Sequence, residues 1–135
     1  MELARITNEN PTFCSMVVTN REERKAFYNA VQNCDKKVSD YINKEITFKH
    51  VYLEKTEVME KDRTGNPTGV INEAVKIVLI LEDGTGIAST SKGVLTSLYA
   101  MFKIFGTPDT WDEPMTCVVR QIETAKGRTF KLEVV

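Results

Sequence analysis

Between Glu45 and Met59 the chain reads EITFKHVYLEKTEVM, with Ile46, Phe48, His50 and Tyr52 on one side of a two-residue period and Thr47, Lys49, Val51 and Leu53 on the other. Successive side chains of a β-strand leave opposite faces, so this alternation predicts one long strand and commits the chain to a sheet. The following Lys61 to Gly69 (KDRTGNPTG) gathers Gly, Pro, Asn, Asp and Thr and holds no apolar anchor, which predicts an exposed, mobile loop. Glu73 to Leu81 (EAVKIVLIL) reads as a second strand, and Asp83-Gly84 is a tight-turn signal that folds Ile87 to Ser91 back against it.

The flanking segments add two helices and three strands. Thr12 to Thr19 (TFCSMVVT) is rich in β-branched and apolar residues and reads as a first strand. Asn20 with Glu23 has the spacing of a helix cap, and Phe27, Ala30, Val31 and Cys34 recur at helical intervals behind it. Asp35 to Ser39 either interrupts that helix or carries its stripe past a bend toward Val38, Tyr41 and Ile42. A second helix opens at Gly93, with Val94, Leu95, Leu98, Met101, Phe102 and Phe105 on one face, and ends at Gly106 with Pro108 beyond. Thr107 to Pro114 is an acidic loop around the single tryptophan, and Met115 to Glu123 with Thr129 to Val135 forms a last hairpin around Lys126-Gly127. The order β, α, β, β, β, α, β, β predicts a mainly β fold with two helices: an antiparallel, partly open barrel of the OB type with a helix packed beneath it. A ferredoxin-like sandwich fits less well, because three strands intervene between the helices without a crossover.

The 135 residues suit one domain, 1–135, and 41% apolar with 27% charged residues is ordinary for a soluble globular chain. No apolar run is long enough to span a bilayer, which argues against a membrane role. Met1 to Arg5 is not followed by a secretory pattern, so a cytoplasmic location is expected. Cys14, Cys34 and Cys117 are odd in number and widely spaced, as reduced structural thiols are. The net charge of −1 does not itself advertise a polyanion partner. The segment from Met115, however, carries Arg120, Lys126, Arg128 and Lys131 against Glu123 and Glu133, either a basic strip or a solvated hairpin face.

Catalytic chemistry finds little to work with. One histidine and no closely spaced cysteines give no metal-ligand set, and no cofactor is expected. Asp83-Gly84-Thr85-Gly86 falls in a hairpin turn, not between a strand and a helix start as a phosphate-cradling loop requires. His50 is the only imidazole available to activate a nucleophile and sits inside the alternating strand. Asp112, Glu113, Glu22 and Glu23 stand on loop or helix surfaces, where solvation is the default. An enzyme is not expected.

What remains is aromatic residues interleaved with basic ones: Phe48, Lys49, His50 and Tyr52, then Arg128, Phe130 and Lys131. Single strands are held in this way, bases stacking on flat side chains while cations track the backbone. Several stretches also occur in a familiar order: Tyr28-Asn29-Ala30, Val38-Ser39-Asp40-Tyr41-Ile42-Asn43, Val51-Tyr52-Leu53-Glu54, Ile80-Leu81-Glu82-Asp83-Gly84, Ser89-Thr90-Ser91-Lys92-Gly93, Phe102-Lys103-Ile104-Phe105-Gly106-Thr107-Pro108, and Trp111 with Pro114. From about Arg24 to Val135 the chain resembles the single-stranded-DNA-binding proteins of tailed bacteriophages infecting Gram-positive bacteria.

That resemblance implies an OB-like barrel, no catalysis, and sequence-tolerant coating of displaced strands during viral replication or recombination. Its partners would be single-stranded DNA and phage replication or recombination proteins; the oligomeric state is left open. The candidate contacts are Phe48, Lys49, His50, Tyr52, Lys92, Arg120, Lys126, Arg128 and Phe130. Alternation also allows Phe48 and Phe130 to point into the barrel, whereas the Tyr52 hydroxyl tolerates water. The last residues read Lys131-Leu132-Glu133-Val134-Val135, so recruitment of partners through an acidic tail, as in cellular counterparts, is not expected. A phage or bacterial module that binds a host protein instead of nucleic acid would have the same composition.

Overall fold

The computed structural model describes residues 11–16, 18–125 and 127–135. They form β1 (Thr12–Cys14), α1 (Arg21–Gln32), β2 (Lys36–Lys37), β3 (Glu45–Lys61), β4 (Pro67–Leu81), β5 (Gly86–Ser89), α2 (Lys92–Phe105), β6 (Met115–Thr124) and β7 (Gly127–Val134). Short 3-10 turns cover Val38–Tyr41 and Pro108–Thr110. The strands join one sheet in the order β2-β5-β4-β3-β6-β7, with β1 added to β3, and every pairing is antiparallel except β2 with β5. With 48% of the chain in strands and two helices, this is a curled, open half-barrel of the OB-like kind.

β3 organises the curl. One edge pairs with β4 from Phe48 to Lys61; the other pairs with β6 over Glu45 to Phe48 and with β1 over Tyr52 to Glu54. Where β3 changes partner it also slips register. Phe48 opposes Leu81 but His50 opposes Ile80, so two steps on β3 match one on β4, and Lys49 is the extra residue of a β-bulge. Phe48, Val51 and Leu53 consequently face inward together, while His50 and Tyr52 face outward. The uninterrupted alternation read from the sequence, with Phe48, His50 and Tyr52 on one side, does not hold.

Each face has its own core. Inside the curl, Phe48, Val51, Leu53, Ile77, Leu79 and Ile87 meet Val94, Leu98, Met101 and Phe102 of α2 and Cys117, Val119 and Leu132 of the last hairpin. Trp111 closes one end, 5.9 Å from the Phe48 ring and 6.5 Å from Phe102, its indole N–H donating to the Gly106 carbonyl at 2.9 Å. Outside the curl, Ala30 and Val31 of α1 cover Val78 and Ile80, with Phe27 and Tyr52 packed at the rim. The thiols belong to this framework: burial pushes Cys117 up to about 12 and raises Cys14 and Cys34.

The helices begin where the sequence signals them. The Asn20 side chain accepts the Glu23 backbone N–H at 2.8 Å and donates to the Glu23 carboxylate at 2.7 Å. Ser91 caps α2 by accepting the Val94 N–H at 3.4 Å, and Gly106, at φ 85°, ends it. Along β7 the Leu132 N–H donates to Ser97 Oγ at 3.1 Å, so α2 covers an edge that another strand would otherwise pair.

Three boundaries differ from expectation. β1 stops at Cys14 because the Ser15 hydroxyl, rather than a further ladder carbonyl, takes the Val51 N–H at 3.0 Å. Asp35 to Ile42 neither continues α1 nor bends it; it supplies β2 and a 3-10 turn. Only Asp62 to Asn66 separates β3 from β4, not the whole of Lys61 to Gly69. The Asp62 carboxylate accepts from the Thr64 N–H, the Thr64 hydroxyl and the Asn66 N–H at 2.9, 2.7 and 3.0 Å, closing a tight turn in which Gly65 takes φ 86°. Among the described residues, β3 from Thr56 and β4 up to Lys76 pair only with each other, forming a two-stranded arm.

Candidate nucleic-acid interface

The structure divides the candidate contacts among several places. Phe48 is 0% exposed and lies in the inner core, so it offers no stacking plane. Lys49 and His50 border a cleft shared with Glu82, Asp109, Asp112 and Glu113, four carboxylates that oppose a phosphate there. The His50 ring nitrogen Nδ1 lies 3.2 Å from the Ser15 hydroxyl, and burial, reinforced by Lys49 and opposed by Asp109, lowers its pKa. Tyr52 meets Phe27 edge to face at 5.5 Å and donates its hydroxyl to Glu54 at 2.8 Å; burial foremost and that carboxylate next raise its pKa. Arg120 donates to Asn43 Oδ1 at 2.9 Å and to Glu133 at 3.3 Å, and so is engaged on the outward face of β6. Lys126 lies outside the described residues, as does the Met1 to Arg5 segment.

The other three, Lys92, Arg128 and Phe130, line one groove of about 620 Å³. Lys37, Ala88 and Ser89 enter it from the β2–β5 end of the sheet, Arg128, Thr129 and Phe130 from β7 at the other end, and the first turn of α2 from between. The groove is therefore the mouth of the half-barrel. Curling, not proximity in sequence, brings Lys37, Lys92 and Arg128 to it. Among the described residues lining it there is no carboxylate, while Ser39, Ser89, Thr90, Ser91, Thr96 and Thr129 contribute hydroxyls.

Local packing fixes this mouth. A Cβ on Gly93 would fall 2.0 Å from the Phe130 carbonyl and 2.8 Å from Thr129 Oγ1, so only glycine lets α2 start this close to β7. Ser91 Oγ and Thr129 Oγ1, 3.1 Å apart, tie the helix cap to the strand. Arg128 has an exposed ion pair with Glu123 at 3.6 Å, an interaction weak enough in water to exchange for a phosphate. Phe130 is half-buried, packed against the inner core, and is one of the residues lining the groove. Cations and hydroxyls suit a phosphodiester backbone, and a half-buried aromatic residue at the same groove is of the type on which bases stack.

Sequence reasoning missed Lys37 and the row of hydroxyls. Lys36-Lys37 is visible as a basic pair, but its place at the mouth depends on the two-residue parallel pairing of Lys36 with Ile87 and Lys37 with Ala88.

An open OB-like half-barrel with a cationic groove between its two sheet ends is an architecture that oligonucleotide-binding proteins use. Comparison with protein families narrows the class: the model for phage single-stranded DNA-binding protein matches residues 6–134, and the chain belongs to that family. No curated protein and no solved structure matches it. Single-stranded DNA is the partner this membership supplies. Among the described residues no helix is long and apolar enough to cross a membrane.

Proposed function

We propose that this chain coats and protects single-stranded DNA exposed during phage genome replication or recombination, binding without catalysis in the host cytoplasm. The strand lies in the mouth of the half-barrel, its phosphates near Lys37, Lys92 and Arg128 and a base against Phe130. One observation carries this placement: three cations and six hydroxyl side chains converge on a groove with no carboxylate among its described lining residues. Counterions released from the backbone then supply much of the affinity, and the hydroxyls orient the phosphates without reading sequence. By contrast, the cleft beside Lys49 and His50 is lined by four carboxylates.

The test is a fluorescence titration of a short oligothymidylate at stepped salt, followed by the same titration with an oligonucleotide of mixed sequence. Affinity should fall linearly on logarithmic axes as salt rises and differ little between the sequences. Absence of binding at low salt would remove the reading altogether.

A further inference from the structure

Nine large hydrophobic side chains are exposed among the described residues, and eight fall into two groups. Val58, Met59, Val70 and Ile71 lie on the β3–β4 arm; Ile104, Phe105, Val134 and Val135 lie where α2 and β7 end. Ile104, Phe105 and Val134 of the second group border a groove of about 510 Å³ between α2 and the last hairpin, floored by Ala100, Met101, Ile122 and Leu132. Scattered exposed hydrophobes need no explanation, but two clusters on one small chain do.

We infer that the β3–β4 arm of one copy docks into the α2–β7 groove of the next, joining copies head to tail along a DNA strand. Shape and chemistry match. The arm is a ribbon one hairpin wide and, over Thr56 to Lys61, about 20 Å long. It has apolar residues on both faces, with Met59 directly opposite Ile71 and Val58 and Val70 on the reverse. A lone two-stranded ribbon is marginal in water, so packing its faces stabilises it. Charges match as well. Glu57 and Glu73 face each other across the arm beside Met59, and Lys55 bridges to Glu73 at 3.1 Å. Lys131 lines the receiving groove in an exposed ion pair with Glu133 at 3.4 Å, and Lys103 precedes Ile104 on α2. A carboxylate at position 57 would therefore meet Lys103 and compete with Glu133 for Lys131, an exposed pair weak enough in water to exchange.

The occupant is a second copy because of where the groove lies. Gly93 and Thr96 line both it and the mouth assigned to DNA, so an arm seated there places its own body beside the same strand. Unlike surfaces that meet head to tail are not used up by a pair, and they propagate as an open row unless the rotation between copies closes a ring. An open row lets successive copies lie side by side along one strand, and the inference rests on the DNA-binding reading to this extent.

The experiment compares binding to an oligonucleotide that holds one copy with binding to long poly(dT). Ile71→Glu on the arm and Ile104→Glu in the groove replace residues 57% and 75% exposed, so both variants should fold and melt like the parent. Each should keep its affinity for the short oligonucleotide and lose about tenfold or more in cooperativity on the long one. An equimolar mixture of the two, in which one intact arm still finds one intact groove, should restore pairs but not long rows. Separately, Met59→p-benzoylphenylalanine should photo-crosslink to α2 or β7 of another copy at high protein concentration, with or without DNA. Unchanged cooperativity in either variant, or crosslinks confined to a second arm, overturns the inference. Failure of the parent to bind the short oligonucleotide removes the DNA reading instead, and the DNA-free crosslink still decides the contact.

Discussion

Phe48 and His50 stand two residues apart on β3 yet leave opposite faces of the sheet, because the register against β4 slips by one residue between them. Phe48 joins the inner core and stacks near Trp111, whereas His50 emerges beside Ser15. Phe48→Ala should therefore act on stability. A cavity in that core should cost about 3–5 kcal/mol, read as a lower urea midpoint, while protein that remains folded keeps its affinity for a short oligonucleotide. Loss of affinity with normal stability would place Phe48 at the DNA instead.

How much was legible in the sequence follows from how local each signal is. α2 was readable nearly to the residue, since its apolar stripe and Gly106 lie within the element itself. The Asn20 cap was readable for the same reason. The bulge at Lys49 was not, because it sits where β3 exchanges β6 for β1, a consequence of long-range pairing. Of the groove residues, Lys92, Arg128 and Phe130 were among the candidates, since aromatics and cations catch the eye on a strand or in a motif. Lys37 was not, because its neighbour β5 lies about fifty residues further along the chain.

Gly93→Ala tests the packing that fixes the mouth. Its Cβ would press on the Phe130 carbonyl, which is backbone and cannot swing aside. Overpacking of this kind should cost about 1–3 kcal/mol and lower DNA affinity together with the melting temperature. A variant as stable as the parent would show that α2 and β7 are not held in this contact.

Trypsin should find the arm first. Lys61 and Arg63 flank or occupy the exposed Asp62 to Asn66 turn, whereas Val94, Leu98, Met101 and Phe102 hold α2 in the core. The earliest fragments, identified by mass, should end at position 61 or 63. First cleavage at Lys103 would mean that α2 detaches more readily than the arm.

Acid should weaken the fold through His50. Burial and Lys49 lower its pKa in the folded state, while in the unfolded chain it titrates near the ordinary value of about 6.5. The unfolded state thus binds the proton more tightly, so the stabilisation is complete above about pH 6.5 and is lost as pH falls through the lowered folded value. The geometry agrees: Ser15 Oγ accepts the Val51 N–H and can give its own proton to an unprotonated Nδ1. Melting temperatures measured from pH 7.5 down to pH 5 should decline, and His50→Gln should decline less over that range. Identical slopes for the two proteins would remove His50 as the cause.

The salt dependence of binding separates the cations of the mouth from the rest. For a single strand, log affinity falls with log salt at a slope of about −0.7 per phosphate neutralised, so loss of one contact should flatten the slope by about 0.7. Lys37→Ala, Lys92→Ala and Arg128→Ala should each do so, nearly equally for every sequence, because a phosphate contact reads no base. Arg120→Ala serves as the internal control. Its guanidinium is engaged by Glu133 and Asn43 on the outward face of the hairpin, so its removal should leave the slope unchanged. Phe130 should behave differently again: Phe130→Leu keeps an apolar side chain against the core but removes the ring. It should weaken binding by about 1–3 kcal/mol without altering the slope, if a base stacks there. If Arg120→Ala flattens the slope while the three groove variants do not, the strand runs over the outward face of the last hairpin and the mouth of the half-barrel is not the binding site.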